Sequence, residues 1–382
     1  MRNRLTLIKG FILILCIVLM LCVVRIAVKM DNTNIIEQNM TNEREACSIE
    51  LEELDNVYLV HVAVREWMQG KYSAKALFNE LREKGRLDLP QPVLISYQLK
   101  DIPVRESVSS QKLEVSKNED FRDAITMTIA PESRKAEVYN LEVGKEYYYR
   151  LTVTLTDGQI ISAQSSFRTA CTPRYMLVDG IRNCRDIGGY MLAEGRQIRQ
   201  GMIYRGTELD GAISNKYVIS DEGVDTLIND LGIQLQLDLR AGNTPNAKDS
   251  LGLEVKHNYY SFLSYSESFT DHGKKKIKEI FADLANSENY PIYIHCTYGA
   301  DRTGTIIYLM GAILGLSEED LYREWEMSAF FVGGAFEEEM ALFVEELKTY
   351  PGVSMQEKVE SFLLSTGVTA EEIDSFRSIM LE

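Results

Sequence analysis

Cysteine and histidine are both scarce, which limits the kinds of site that this chain can hold. The sequence has 6 cysteines in 382 residues, and two of these lie in an apolar N-terminal stretch. The other four, at positions 47, 171, 184 and 296, are too few for a disulfide framework in a chain of this size. The 4 histidines are scattered without the paired spacing of metal ligands. We therefore expect a mechanism that needs neither a metal nor another cofactor.

Basic residues are too few to balance the acidic ones. There are 41 Lys and Arg against 57 Asp and Glu, which gives a formal net charge of −16. Such a charge repels nucleic acids and anionic lipid headgroups, and we expect no nucleic acid as a partner. An anion-binding site on this chain must therefore depend on local geometry.

The N-terminus contains a long run without charged residues. Basic residues precede the uncharged apolar stretch 10–24, and residues 26–28 extend the run if the intervening Arg25 snorkels. This pattern is typical of a secretory targeting or anchoring segment, and no small-x-small cleavage site is evident. We expect residues 1–30 to be an uncleaved single-pass membrane anchor that leaves the rest of the chain outside the cytoplasm. A secreted protein, released by cleavage of a signal peptide, is the alternative.

The middle of the chain changes from a polar to an alternating pattern. We interpret residues 31–87 as a polar stalk and a mixed region, with a helix-like stretch at 74–81. From residue 88 to residue 170, apolar and polar residues alternate with the period of β-strands, which predicts an all-β sandwich. The predicted strands are 93–97, 112–116, 136–139, 147–155 and 159–161. The segment 141–147 is similar to the tyrosine-corner segment of fibronectin type III domains, and this resemblance implies that fold for residues 88–170.

Beyond residue 170, strand-like and helix-like segments alternate. The predicted strands are 202–204, 233–237, 254–259 and 292–295, and the predicted helices are 221–231, 274–284 and 304–314. This alternation is typical of an α/β fold, with a mainly parallel sheet flanked by helices. Further helices are predicted from Ser317, at 336–347 and after a capping box formed by Thr369 and Glu372.

The sequence His-Cys-Thr-Tyr-Gly-Ala-Asp-Arg-Thr-Gly at 295–304 carries the strongest chemical signal. Five residues separate Cys296 from Arg302, enough to wrap the 296–302 loop around a tetrahedral dianion with its backbone N–H groups pointing inward. The helix predicted to follow adds its partial positive charge. The same field favours the thiolate, which would make Cys296 a nucleophile at neutral pH.

The side chains of this motif have distinct expected roles. Arg302 can hold two phosphate oxygens bidentately, and Thr303 can donate a hydrogen bond to the thiolate when the sulfur must leave again. The predicted phosphate-binding residues are Thr297, Tyr298, Gly299, Ala300, Asp301 and Arg302. An apolar run before the loop and a helix after it supply the strand–loop–helix context that such a motif requires.

These residues resemble the Cys-x5-Arg-Thr/Ser signature of the protein tyrosine phosphatase superfamily, in the form found in its bacterial tyrosine/serine branch. Three further motifs are similar to landmarks of that branch and occur in the same order: Asn-Cys-Arg-Asp-Ile-Gly-Gly-Tyr at 183–190, Ile-Tyr-Arg at 203–205 and Asp-Leu-Arg at 238–240. The resemblance covers residues 171–382 and implies a cysteine phosphatase-like fold. It also implies that four residues beside the loop orient it, namely His295, Asn183, Arg185 and Asp186. A histidine that merely ends a strand would look identical in sequence.

Two residues depart from the pattern of that branch. Lys often occupies the position of Ala300, where it could contact additional phosphates of a substrate, so polyphosphorylated inositols are less expected. Cys184 stands where an aromatic residue is more common. A thiol there could form a reversible bridge with Cys296 and protect it from over-oxidation.

The general acid has two candidates. Expulsion of the leaving group needs a carboxylic acid within hydrogen-bonding reach of the ester oxygen. No Trp-Pro-Asp segment is present, since neither tryptophan precedes a proline and an aspartate. Asp301 is the first candidate, by its position and by similarity to phosphatases that carry the acid in the loop. Asp238 is the second, because it ends a predicted strand, and its alternative role is structural, as the partner of Arg240 or Arg185.

The expected function is phosphomonoester hydrolysis through a phosphocysteine intermediate. The resemblance implies phosphotyrosine in proteins as the substrate, and the predicted anchor places the reaction at the cell surface. The alternatives are a phosphatase of phosphoinositides or inositol phosphates, and a surface adhesion or scaffold protein whose phosphatase-like half only recognises phosphorylated ligands. The expected partners are a phosphorylated protein or a small phosphomonoester, and the membrane through the anchor.

Overall fold

The structure is a computed structural model, and it describes most of the chain beyond residue 46. The described ranges are 47–70, 73–81, 87–103, 106–171, 173–240, 249–333 and 337–382, together with Met20. Apart from Met20, the anchor expected at 1–30 lies outside the described residues, and so does the predicted stalk before residue 47. In the described ranges, no helix has both the length and the apolar character needed to cross a membrane.

Two sheets pack face to face and form a β-sandwich. The first has the strand order β1 (Ser48–Leu51), β3 (Val93–Lys100) and β6 (Lys135–Val138), with neighbouring strands antiparallel. The second has the order β2 (Asn56–Val57), β8 (Ile160–Thr169), β7 (Glu146–Leu155), β4 (Val108–Ser116) and β5 (Ile125–Ile129). Alternate residues of β7 are buried, because one face of this strand points into the core between the sheets.

The sandwich contains the predicted strands and extends beyond them. The sequence pattern does not predict β5, because its residues are mostly exposed at a sheet edge and lack a clear buried face. β1 and β2 lie before residue 88, in the region interpreted as a stalk and a mixed segment, since such short edge strands contain too few residues to establish an alternation. Helices α1 (Val62–Met68) and α2 (Ala74–Leu81) follow β2, and α2 confirms the helix-like stretch at 74–81.

The C-terminal unit is built on a six-stranded mixed sheet. From one edge to the other, the strands are β13 (Lys256–Tyr259), β12 (Leu235–Asp238), β14 (Ile292–His295), β11 (Ile203–Gly206), β10 (Arg185–Asp186) and β9 (Arg174–Tyr175). The first four are parallel to one another, as predicted, whereas β10 and β9 are short antiparallel additions at one edge. Every residue of β11, β12 and β14 is buried, because both faces of the sheet are covered by apolar clusters.

Helices flank this sheet. They are α3 (Asp221–Asp225), which continues as a π-helical turn (Thr226–Asp230), α4 (Asp271–Leu284), α5 (Asp301–Leu314), α6 (Glu318–Glu326), α7 (Ala329–Val332), α8 (Glu337–Lys348), α9 (Met355–Thr366) and α10 (Ala370–Met380). All residues of α5 from Thr303 to Leu314 are buried, so this helix runs through the middle of the core. The predicted capping box of Thr369 and Glu372 is confirmed at the start of α10.

One hydrogen bond within the segment 141–147 offers a test of the sandwich. The Tyr147 hydroxyl accepts a hydrogen bond from the backbone N–H of Glu142 at 2.9 Å. We expect Tyr147→Phe to lower the free energy of unfolding by about 1–2 kcal/mol, because this N–H would lose its partner. Urea denaturation measures the change. Tyr148→Phe, on the less buried face of the same strand, is the control and should cost less than about 0.5 kcal/mol; an equal loss in both variants would contradict the role of this bond.

Candidate active site

The 296–302 loop joins the strand β14 to the helix α5. β14 lies between β12 and β11, and its carboxyl end opens into the crevice where ligands bind in open α/β sheets. Cys296 follows this strand directly and is 3% exposed. α5 begins at Asp301, with Ala300 as its N-cap, so the positive end of the helix dipole faces the loop. The predicted strand–loop–helix context is therefore present.

A glycine makes the tight path of this loop possible. Gly299 has a φ of +65°, in the left-handed region that other residues rarely adopt. A Cβ atom at this position would lie 2.3 Å from the carbonyl oxygen of Gly206, at the end of β11. The loop can therefore approach the neighbouring strand this closely only with glycine at position 299.

Three successive carbonyl groups of the loop accept hydrogen bonds from donors outside it. The carbonyl of Thr297 accepts from the backbone N–H of Glu208 at 3.1 Å. The carbonyls of Tyr298 and Gly299 accept from Nδ2 of Asn183, at 3.2 and 3.3 Å. Because C=O and N–H point in opposite directions in a trans peptide, the N–H groups of residues 298–300 point towards the concave side of the loop. Inward N–H groups of this kind form an anion-binding cradle.

The arginine of the motif lies across the same loop. Nη2 of Arg302 donates a hydrogen bond to Oγ1 of Thr297 at 3.1 Å, which brings the guanidinium back over the first turn of the loop. The Thr303 hydroxyl is buried, and no hydrogen bond joins it to the Cys296 sulfur or to another described residue. This hydroxyl is therefore available to a group bound in the cradle.

A buried ion-pair cluster supports the loop from below. The Glu324 carboxylate, on α6, accepts hydrogen bonds from Nε of Arg185 at 3.1 Å and from Nη1 of Arg205 at 2.9 Å. The other end of the Arg205 guanidinium donates to the carbonyl of Gly299. Burial and the neighbouring Arg185 lower the pKa of Arg205 to about 10, which leaves it charged at neutral pH. These three ionised groups therefore carry one excess positive charge beneath the loop, which favours a bound anion.

The residues of the motif at 183–190 have two different roles: some lie beside the 296–302 loop, and Asp186 fixes the turn that follows it in the motif. Asn183 has a φ of 52° and tethers the loop, while its Oδ1 accepts from Nη1 of Arg185 at 2.6 Å. Asp186 faces elsewhere, since its carboxylate accepts from Nη1 of Arg174 at 2.6 Å and from the N–H groups of Gly188 and Gly201, each at 2.7 Å. Asn183 and Arg185 therefore lie beside the loop, whereas the bonds of Asp186 fix the following turn.

Asp301, the first candidate for the general acid, sits at the N-terminus of α5. The Tyr265 hydroxyl donates a hydrogen bond to Oδ1 of Asp301 at 2.8 Å and accepts one from Nε1 of Trp325 at 3.0 Å. Burial raises the pKa of Asp301 above its ordinary value, and the Tyr265 hydrogen bond and Arg302 oppose part of this effect. A carboxyl group in this setting stays protonated to a higher pH than an exposed one.

Asp238, the second candidate, lies in a different electrostatic setting. Its carboxylate accepts hydrogen bonds from Nε of Arg240 at 2.9 and 3.0 Å, and Nε2 of His257 is 3.5 Å away. Burial opposes ionisation of Asp238, but the side chains of His295, His257 and Arg240 outweigh it and hold the pKa of this carboxyl far below its ordinary value. The pairing with Arg240 is the structural role that the sequence offers as the alternative for Asp238.

His295 is oriented by two hydrogen bonds. Nδ1 lies 3.1 Å from the carbonyl oxygen of Cys296, and Nε2 lies 2.9 Å from Nε2 of Gln236. The carbonyl can only accept, so Nδ1 carries the proton and Nε2 accepts from the Gln236 amide. Burial lowers the pKa of His295, which agrees with this neutral tautomer. The ring thus holds the first peptide of the loop.

The bridge considered between Cys184 and Cys296 is contradicted by the structure. Cys184 packs in a cluster with Tyr204 and Tyr293, whereas Cys296 belongs to a separate cluster with Ile294. Because neighbouring residues of β14 point to opposite faces, the two thiols lie on opposite sides of the sheet and cannot meet without backbone movement. Burial raises the pKa of Cys184 to about 12, as expected for a packed apolar thiol.

Several residues of the site belong to none of the sequence motifs and are not predicted from them. Glu324, Tyr265 and Gln236 lie 28 to 60 positions from Cys296 along the chain and carry no spacing that relates them to it. Their partners are set by how α6, the segment before α4 and β12 pack on the loop. Arg205 belongs to the similar motif at 203–205, but its contact with the loop carbonyls becomes evident only in the fold.

Removal of the Glu324 charge tests the support beneath the loop. We expect Glu324→Gln to lower the free energy of unfolding by about 3–5 kcal/mol, because the buried charges of Arg185 and Arg205 would lose the carboxylate that balances them. Chemical denaturation at neutral pH measures the change. The control on the same helix is Glu319→Gln, since Glu319 pairs with Arg323 at the surface and is 72% exposed. That variant should lose less than about 1 kcal/mol; similar losses in both would contradict the buried cluster as a major support.

Parts of this chain are similar to known proteins. A putative tyrosine-protein phosphatase of Cupriavidus necator is 25% identical over 177 residues, which span 38% of this chain and 60% of that protein. A tyrosine-protein phosphatase of Nostoc commune is 24% identical over 126 residues, which span 27% of this chain and 43% of that protein. The core catalytic domain of the PP-IP phosphatase Siw14 from S. cerevisiae, solved in complex with citrate, is similar with a TM-score of 0.29 at 19% identity, over 41% of this chain and 82% of that one. Residues 176–382, more than half of the 382 residues, match the tyrosine phosphatase family. The chain belongs to the tyrosine phosphatase family.

Proposed function

We propose that this protein hydrolyses phosphomonoesters through a phosphocysteine intermediate and that its preferred substrate is phosphotyrosine in proteins. One observation carries the proposal: the carbonyls of residues 297–299 are all engaged outside the 296–302 loop, so that the N–H groups of 298–300 face its concave side. A phosphate dianion held there would accept hydrogen bonds from these N–H groups and from Arg302, next to the Cys296 sulfur.

The reaction proceeds in two displacements. In the first, the Cys296 thiolate attacks phosphorus, the bond between phosphorus and the ester oxygen breaks, and Asp301 gives its proton to that oxygen. In the second, water attacks the phosphocysteine, Asp301 takes a proton from the water, and the thiolate leaves as inorganic phosphate forms. Thr303 donates a hydrogen bond to the departing sulfur, a role that its buried and unpartnered hydroxyl supports.

Asp301 suits the role of the acid better than Asp238. Burial raises the pKa of Asp301, so a larger fraction of this carboxyl carries the proton that the ester oxygen needs. Asp238 is held in its ionised form and already accepts hydrogen bonds from Arg240. A carboxylate with those partners has no proton to give near neutral pH.

An aromatic rim beside the loop favours an aryl ester. Tyr298 is 44% exposed, and its ring centroid lies 6.0 Å from that of Tyr217, which lies 5.4 Å from that of Phe331. Rings in such a cluster can pack against the ring of a phosphotyrosine. Ala300 offers no cation for a second phosphate, which argues against inositol polyphosphates. The two relatives are both named tyrosine-protein phosphatases, which agrees with this choice.

We also propose a cell-surface location, with a fibronectin type III-like domain between the anchor and the catalytic unit. The uncharged stretch 10–24 supports the anchor. The strand order β1-β3-β6, opposite β8-β7-β4-β5, and the Tyr147 hydroxyl bond support the domain type; an experimental structure with another strand order would contradict it. Protease added to intact cells should digest the protein, and complete protection would contradict the surface location.

Loss of the nucleophile tests the proposed reaction. We expect Cys296→Ser to lower the turnover of an aryl phosphate by more than about 1,000-fold while the protein still binds the ester, because the cradle and Arg302 remain. Steady-state assays with a phosphotyrosine peptide, an aryl phosphate and inositol phosphates would measure activity and preference together. Cys171→Ser is the matched control, since Cys171 is an exposed free thiol and should be dispensable.

Three outcomes of this assay would contradict the proposal in different ways. Full activity in Cys296→Ser would remove the phosphocysteine intermediate. Preferential turnover of inositol phosphates would remove phosphotyrosine as the preferred substrate. Binding of the ester by the wild-type protein without any turnover would favour the alternative of a recognition protein.

The pH dependence of kcat tests Asp301 as the acid. The Tyr265 hydroxyl stabilises the ionised form of Asp301 and thereby lowers its pKa, so Tyr265→Phe should raise this pKa further. The alkaline limb of the kcat profile, where the acid loses its proton, should then move to higher pH. Asp301→Asn should lower kcat by about 100-fold or more and abolish that limb.

A second tyrosine–aspartate pair supplies the control for this shift. Tyr260→Phe removes a hydroxyl that donates to Oδ2 of Asp283 at 2.7 Å, and this pair is separate from the hydrogen bond between Tyr265 and Asp301. This variant should leave the alkaline limb in place. If Tyr265→Phe also leaves the limb unmoved, or if Asp301→Asn retains it, another group is the acid.

A further inference from the structure

The helices α1 and α2 precede the C-terminal unit, which is called the catalytic unit below, and they pack against it. Their apolar residues form one cluster with Tyr175 and with residues of α7. The Trp67 ring meets the Phe330 ring edge to face, with centroids 5.1 Å apart. The Glu326 carboxylate accepts hydrogen bonds from Nε1 of Trp67 and from the backbone N–H of Ala74, both at 3.2 Å. α1 and α2 are thus fixed on the catalytic unit and not on the sandwich alone.

This docking fixes the position of Asp88, which follows the helices and precedes β3. Asp88 is fully buried, and its carboxylate accepts three hydrogen bonds. The donors are Nε of Arg182 at 2.8 Å, Nη2 of the same guanidinium and the backbone N–H of Asn183 at 3.1 Å. A buried carboxylate with three donors holds all of them in one geometry, because each lost bond would leave a polar group unpaired.

Asp88 holds Asn183, which bonds to the 296–302 loop, and Arg182, which contacts the aromatic rim beside it. Asn183, whose backbone is in the left-handed region, donates from Nδ2 to the carbonyls of Tyr298 and Gly299. The Arg182 guanidinium lies 5.1 Å from the centroid of the Phe331 ring, in the aromatic rim. A displacement of Asp88 would therefore reach both the N–H cradle and the rim that borders it.

We propose that Asp88, from outside the region that matches the tyrosine phosphatase family, is a positioning residue of the catalytic loop and acts through Asn183 and Arg182. This inference rests on the proposed hydrolysis at Cys296. It means that the catalytic unit is incomplete when cut at residue 171, because the carboxylate that orders Asn183 comes from the N-terminal part of the chain. Asp88 touches no substrate atom, and its effect is on the geometry of the cradle.

Substitution of Asp88 in the full chain tests the proposal with two readouts. We expect Asp88→Ala to lower kcat for an aryl phosphate by about 10- to 100-fold, because a small misplacement of the loop misaligns the attacking sulfur. The inhibition constant of tungstate, a tetrahedral oxyanion, should rise by about tenfold, since the cradle would lose its fixed geometry. Asp88→Asn keeps the shape but not the charge that anchors Arg182, and both of its values should fall between those of the wild type and Asp88→Ala.

Tyr147→Phe is the control for a general loss of stability. It weakens the sandwich without touching the loop, so its kcat and tungstate inhibition should equal those of the wild type at a temperature where it remains folded. If Asp88→Ala is folded and has wild-type kcat and tungstate inhibition, Asp88 is merely structural and the proposal is overturned. If Asp88→Ala does not fold, Asp88→Asn decides, and wild-type values in that variant overturn the proposal equally.

The failure of this inference can be distinguished from failure of the proposed function. If the wild-type protein turns over the ester and Asp88→Ala matches it, only the positioning role fails. If the wild-type protein turns over no ester, the proposed hydrolysis fails. Calorimetric titration with tungstate then still tests whether Asp88 orders the cradle, because binding needs no turnover.

Discussion

The outward engagement of the loop carbonyls is the interaction on which the rest of the site depends. A peptide group is planar, so a donor that holds its C=O on one side also holds the next N–H on the other. Glu208, Asn183 and Arg205 supply the donors for residues 297–299 of the loop. The buried ion pairs with Glu324 fix the Arg205 guanidinium, and the left-handed backbone at Gly299 lets the loop approach β11. Together, these features turn the N–H groups of residues 298–300 towards the concave side of the loop.

A protein with a net charge of −16 can still have a locally positive site, because the charges closest to the loop are the ones that act there. Surface charges farther than about 10 Å away are largely screened by salt, whereas buried charges are screened much less. Arg185 and Arg205 share a single carboxylate beneath the loop, and the N-terminus of α5 adds its partial charge. In the proposed reaction, the net charge of the protein acts on the approach of the substrate, and the buried charges beneath the loop act on its binding.

The sequence predicts the strand β14, the buried helix after it and the residues between them, because these follow each other along the chain. It also predicts the parallel core of the sheet, since apolar runs mark β11, β12 and β14. It does not predict β1 and β2, which contain too few residues to establish an alternation, or β5, whose residues are mostly exposed at a sheet edge. The partners of the loop from distant segments, Glu324, Tyr265 and Asp88, are equally absent, because only packing of α6 and of the N-terminal helices brings them together. The bridge between Cys184 and Cys296 fails for a related reason: the order of residues in a motif does not reveal which face of a sheet each one takes.

A crystal structure with tungstate bound would show whether the N–H groups of the 296–302 loop face a bound oxyanion. We expect the oxyanion in the 296–302 loop, about 2.7–3.1 Å from the N–H nitrogens of residues 298–300 and held by two nitrogens of Arg302, with the Cys296 sulfur facing the metal of the anion. The carbonyls of residues 297–299 would keep their bonds to Glu208, Asn183 and Arg205. Tungstate bound elsewhere, or a loop whose carbonyls point at the anion, would contradict an anion-binding role for this loop.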